Sequence, residues 1–205
     1  MRSSVKAFLY FSVLLLGIPG PIPAVHAASG PSIQGDSQTV AELNAAYKKF
    51  ADANSWRSRM TLPGSPPIIN TVSYVAPDRF HMVMSRGTDQ PLEYYLVGNG
   101  IWLKNAAGCT RLPGSVNIPN PREMLKQSDD AVIQVTRGGT EVVEGTPTQI
   151  YNLVITSKGI TVRQKLYVAT ATGLPRRNEV TSQQGTTVVD YSDYGAPITI
   201  NNPPC

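Results

Sequence analysis

Residue types that do chemistry are scarce in this chain. Two histidines, His26 and His81, and two cysteines, Cys109 and Cys205, are all it holds. A histidine-rich zinc site is therefore excluded, and any Ser-His-Asp scheme would have to run through His81. His81 alternates with the apolar Phe80 and Met82, so it is read as an outward-facing surface imidazole. Asp78, Asp190 and Asp193 fall at expected turns or strand ends, and no spacing forces two carboxylates together for acid–base work. There is no G-x-S-x-G elbow and no glycine-rich phosphate loop. Neither cysteine sits in a C-x-x-C pair, so a catalytic dithiol is not expected. The sequence offers no catalytic residue, no metal site and no cofactor site, and it is read as a non-enzyme.

The remaining chemistry of the cysteines depends on compartment. Arg2 and Lys6 begin the chain, Ala7 to Ile18 is an apolar run, and Gly20, Pro21 and Pro23 precede Val25-His26-Ala27. This order of basic, apolar and small residues is that of a cleavable secretory signal over residues 1–27. The apolar run is shorter than the roughly 20 residues a membrane span needs. Export to the periplasm is expected, and it removes His26. An even cysteine count in an oxidising space suggests a Cys109–Cys205 disulfide that pins the C-terminal tail to the middle of the sheet. Two free thiols or an intermolecular bridge are the alternatives.

The 178 residues after the signal suffice for one domain with a real core. The chain carries 18 basic and 14 acidic residues, and loss of Arg2 and Lys6 brings the net charge down to +2. No Lys/Arg cluster or basic helix is present, so nucleic-acid binding has no footprint here. A monomer is expected.

Residues 28–38 are rich in Gly, Ser and Pro and are read as a flexible lead-in to a single domain over 39–205. Thr39 and Glu42 form a capping box, and Val40, Leu43, Tyr47 and Phe50 recur at helical spacing, predicting a helix from Thr39 to Ala53. Beyond it the period changes to two. Trp56, Met60 and Leu62 alternate with Arg57, Arg59 and Thr61, and Phe80, Met82 and Met84 alternate with Arg79, His81 and Ser85. Tyr94 and Leu96 lead to an Asn99-Gly100 hairpin turn and on to Ile101 and Leu103. Ile133 and Val135 lead to a Gly138-Gly139 turn, and Tyr151, Leu153 and Ile155 to one at Lys158-Gly159. Val162, Leu166 and Val168 follow, and Val180 and Val188 close the set around Gln184-Gly185. A short internal helix is expected from Asn120 through Pro121 and Glu123 to Met124 and Leu125. The sum is one antiparallel meander whose apolar face curls over the helices. Arg57, Arg59, Arg176 and Arg177 are read as solvated strand faces. The faces of residues 68–75 stay ambiguous, because Ile68, Ile69 and Val72 split between them.

The wording of these strands resembles a known family. Tyr74-Val75-Ala76-Pro77-Asp78-Arg79-Phe80 looks like the apolar-x-Pro-x-Arg lead into a strand of LolA-like lipoprotein carriers, and Leu96 to Trp102 is similar to their following hairpin. Leu166-Tyr167-Val168 with Thr172-Gly173-Leu174-Pro175, and Tyr191 to Ile200, resemble later segments of LolA-like and LppX/LprG-type carriers. The likeness runs in order over most of residues 39–203. It implies a mainly β, unclosed, strongly bent antiparallel half-barrel, covered by the N-terminal helix and the short internal one. It further implies a concave face that holds acyl chains. The sorting carriers have an Arg before the proline where this chain has Ala76, so a general hydrophobic ligand fits better than lipoprotein sorting itself.

On that reading the ligand face is Trp56, Met60, Phe80, Met82, Met84, Tyr94, Leu96, Ile101, Leu103, Tyr151, Leu153 and Leu166. Packing of the same side chains as ordinary core is the competing explanation. The expected function is a periplasmic carrier for a lipid, a lipoprotein acyl chain or another hydrophobic molecule. The alternative is an envelope module of the same fold that binds a protein or peptide partner.

Overall fold

A computed structural model describes residues 32–113, 131–203 and 205. The expected signal peptide and the helix expected near Asn120 lie outside the described residues. One α-helix and twelve strands follow in chain order: β1 (Ser32–Gln34), α1 (Ser37–Asp52), β2 (Ser55–Leu62), β3 (Ile68–Val75), β4 (Arg79–Arg86), β5 (Leu92–Val97), β6 (Gly100–Asn105), β7 (Gly108–Arg111), β8 (Val132–Val143), β9 (Thr146–Ser157), β10 (Ile160–Ala169), β11 (Pro175–Ser182) and β12 (Gly185–Ser192). They form one open sheet in the order β1-β8-β9-β10-β11-β12-β2-β3-β4-β5-β6-β7. This is the unclosed, mainly β half-barrel expected from the strand wording.

The single meander of the sequence reading is really two. β2 to β7 form one and β8 to β12 the other, and the seam is the antiparallel pairing of β12 with β2. β1, in the stretch expected to be loose, pairs in parallel with Val132–Gln134 of β8.

Helix α1 starts two residues earlier than the pattern suggests. Asp36, not Thr39, is the N-cap, and its Oδ1 accepts from the Thr39 N–H at 2.9 Å. The Thr39 side chain, and then this backbone bond, hold the Asp36 carboxyl below its ordinary pKa. Thr39 is buried beneath the first turn instead. Glu42 is thereby released from the backbone and turns to the sheet.

Two turn assignments change. The β5–β6 loop is Gly98-Asn99, with Gly98 at φ 58°, so Gly100 already lies in the strand opposite Val97. A Cβ on Gly100 would stand 2.1 Å from the Trp102 ring, which explains the glycine without any turn. Gly138-Gly139 is a bulge within β8, between Arg137 and Thr140, and the real turn is Glu144-Gly145, both with positive φ. Lys158-Gly159 turns as expected. In the closing strand Val189 is the buried residue, and Val188 lies on the other face.

The core has two parts, both beneath α1. Leu43 and Ala46 pack on Ile133, Val135, Tyr151, Leu153, Leu166 and Val168. Further along the helix Phe50 meets Trp56 at 5.6 Å and Tyr191 at 5.4 Å between ring centroids, over Tyr74 and Phe80. The helix stripe read from sequence thus spans the seam and holds the two meanders together.

Candidate functional site

Strand register alone defines the concave face. Trp56, Met60 and Leu62 pair across β2–β3 with Tyr74, Asn70 and Ile68, which settles the ambiguous face of β3. Tyr74, Val72 and Asn70 then pair with Phe80, Met82 and Met84. These face Leu96, Tyr94 and Leu92 on β5, and Tyr94 and Leu96 face Leu103 and Ile101 on β6. Across the seam Met60 meets Val189, Val189 meets Asn178, and Asn178 meets Leu166, which pairs with Tyr151. All twelve residues picked from sequence therefore share one face.

Burial splits them into two groups. Trp56, Phe80, Tyr151, Leu153 and Leu166 are buried under α1 as core. Met60, Met82, Met84, Tyr94, Leu96, Ile101 and Leu103 are only part-buried. They line the slope running from the aromatic cluster out along β2 to β6. This slope is apolar, with two adjacent methionines on β4 whose flexible side chains can adapt to a variable shape.

The convex face carries a cluster of titratable groups around Glu93. Glu93 accepts from Lys104 Nζ at 2.9 Å, from the Tyr95 hydroxyl at 2.7 Å and lies 3.1 Å from His81 Nε2. Lys104, then Tyr95, lower the Glu93 carboxyl to about 2. Burial, then Glu93, push the Tyr95 phenol up to about 12. His81 stacks on Tyr95 with centroids 4.4 Å apart. The outward placement of His81 is as expected, but it is not a free surface imidazole. The C-terminal segment crosses this face as a strap: Arg79 Nη1 donates to the Ile200 carbonyl at 2.9 Å, Ile200 is buried, and Cys205 is bonded to Cys109. The disulfide forms as expected, yet it ties the tail to β7 at the sheet edge and not to its middle. An open cleft of about 310 Å³ lies between the strap and His81 and Tyr95. The Tyr95 proton is committed to Glu93, so the cluster presents a structural clamp without an activated nucleophile.

A second cleft, also about 310 Å³, lies beside α1 over β9 and β10. There Glu42 accepts from the Tyr151 hydroxyl at 2.8 Å and pairs with Arg137 at 3.2 Å. Tyr151 lowers the Glu42 pKa most, and burial, then Glu42, raises Tyr151 to about 12. This bond tethers the helix to the sheet. The tether was invisible in the sequence because Glu42 and Tyr151 lie 109 residues apart.

Of the four arginines expected to be solvated, Arg57 and Arg59 are exposed, with Arg57 paired to Asp193 at 2.9 Å. Arg176 and Arg177 are not. Arg177 holds Asp190 at 2.6 Å, and Arg176 donates to the Tyr191 carbonyl at 2.8 Å. Both brace the β11–β12 pair. Among the described residues no cluster of His, Cys, Asp or Glu could hold a metal, and no helix is long and apolar enough to cross a membrane.

Comparison with solved structures places this architecture. The Mycobacterium tuberculosis lipoprotein LppX aligns with a TM-score of 0.60 at 14% identity, over 82% of this chain and 100% of its own. LprF from Mycobacterium bovis aligns with a TM-score of 0.62 at 15% identity, over 85% of this chain and 99% of its own. At these identities the likeness is one of fold, and it agrees with the LppX-type half-barrel that the strand wording implied. No family model and no curated protein matches the chain.

Proposed function

We propose that this protein is a periplasmic carrier that binds the acyl part of a lipid or lipoprotein against its concave face. The observation that supports this most is the part-buried apolar slope of Met60, Met82, Met84, Tyr94 and Leu103, contiguous with a core already sealed by α1. A contiguous apolar patch that stays part-open marks a surface for a ligand or partner. Affinity would come from apolar burial, about 0.8 kcal/mol per methylene removed from water. No bond making is involved, so the chain's poverty in catalytic groups costs nothing. The shared fold with two mycobacterial proteins, one of them described as a lipoprotein, is consistent with a role in the envelope.

The test is titration with a fluorescent long-chain acyl probe. Met82→Asp places a charge between Val72 and Tyr94 on the slope. Loss of about four methylene contacts weakens binding by about 3 kcal/mol, or roughly 100-fold. Val142→Asp, at an exposed position at the far end of β8, leaves binding unchanged. Equal binding by wild type and Met82→Asp removes the slope from the site.

The alternative, a protein partner adding a strand, would use the side of β8 that β1 leaves unpaired beyond Gln134 among the described residues. The Gly138-Gly139 bulge interrupts that edge. Bulges are a device that discourages strand addition, so the carrier reading is preferred.

A further inference from the structure

Asn70 is out of place. Its neighbours by register are Met60 and Met84, so it lies on the apolar slope. Its side chain is almost fully buried, at 5% exposure. The amide Nδ2 reaches only the Met60 sulfur, at 3.9 Å, and the carbonyl Oδ1 is buried with no partner among the described residues. A buried carbonyl left without a donor destabilises the fold, and leucine or methionine would fill the same position without that cost. Asn178 repeats the anomaly. It lies in the same cross-sheet row, reached from Asn70 through Met60 and Val189, and its Oδ1 is likewise buried and unpartnered. Two acceptors in one row of a concave apolar face are what a ligand's own donors would satisfy.

Resting on the carrier reading, we propose that Asn70 selects the cargo by accepting a hydrogen bond from a neutral donor, a hydroxyl or an amide N–H, on the polar part of the lipid. Met60 and Met84 beside it offer no charge partner, so an ionised headgroup is not the group it reads. The cargo class is then an amphiphile with a free donor, of which diacylglycerol is the simplest example. A donor-free lipid leaves Oδ1 unpaired and binds less tightly.

Binding of dioleoylglycerol and of its O-methyl ether separates these cases, because the two share both chains and differ only in that a methyl group replaces the hydroxyl hydrogen. Wild type is expected to bind the alcohol about tenfold more tightly than the ether. Asn70→Leu is expected to bind both alike while melting at a higher temperature than wild type, since it removes a buried unpaired acceptor. Equal affinity of wild type for alcohol and ether overturns the proposal, whatever the behaviour of the variant. So does an Asn70→Leu protein that still prefers the alcohol. Failure of wild type to bind either lipid overturns the carrier reading itself, which is a distinct outcome.

Discussion

Removing the Cys109–Cys205 bridge tests how the convex and concave faces divide their work. The bridge closes 96 residues of chain, from the edge strand β7 through β8 to β12 and the strap. Loop-closure entropy for that length amounts to about 4.7 kcal/mol at room temperature. The strap keeps its own contacts without the bond, because Arg79 still holds the Ile200 carbonyl and Ser55 Oγ donates to the Ala196 carbonyl at 2.7 Å. The Cys109→Ser/Cys205→Ser variant is therefore expected to fold and to lose about 3–5 kcal/mol of unfolding free energy in urea. Since the strap lies against His81 and Tyr95, opposite the methionine slope, affinity for an acyl probe should stay within about twofold of wild type. A loss below about 1 kcal/mol shows that the bridge does not restrain the unfolded chain as argued. A folded variant that no longer binds the probe shows that the two faces are not independent.

Three further outcomes follow from local geometry. Leu43, fully buried against both Val135 and Leu153 in the cluster under α1, is expected to cost about 3 kcal/mol when changed to Ala, read by chemical denaturation. The Glu93 carboxyl is lowered from 4.5 to about 2 by Lys104 first, so its contribution is complete above the ordinary glutamate pKa and is lost as pH falls toward 2. On acidification through that window wild type should lose about 1–2 kcal/mol more than Glu93→Gln, after allowance for solvent screening. Gly100→Ala pushes a methyl group into the Trp102 ring, and it should cost about 1–3 kcal/mol and shift the tryptophan fluorescence.

Much of the concave face was legible because the side-chain period of a strand is two. With Phe80, Met82 and Met84 on one side, alternation also placed the inward residues of β2, β5 and β6, while β3 stayed ambiguous until its pairing with β2 and β4 was known. What periodicity could not supply was depth: Tyr151 and Met84 share a face, but only the path of α1 decides that the first is core and the second half-open. The seam was also hidden, since Met60 and Val189 pair across the whole length of the domain. Local turn chemistry misled in both directions. Gly138-Gly139 has the composition of a turn and serves as a bulge, while Glu144 adopts a φ of 47° in a real turn that its residue type does not advertise. Thr39 and Glu42 have capping-box spacing, but Asp36 lies three residues upstream of Thr39 and captures its N–H first. Asn70 went unnoticed in the sequence because its anomaly lies in the buried carbonyl that nothing meets, which strand alternation does not reveal.

The central claim is that the concave slope holds a lipid. Native mass spectrometry of the protein taken gently from the cells that produce it, with solvent extraction of whatever is bound, tests it most directly. The account predicts a discrete mass excess that extracts as lipid and that falls away in Met82→Asp. An excess that persists unchanged in Met82→Asp, or a bound species that proves to be a peptide, would contradict it.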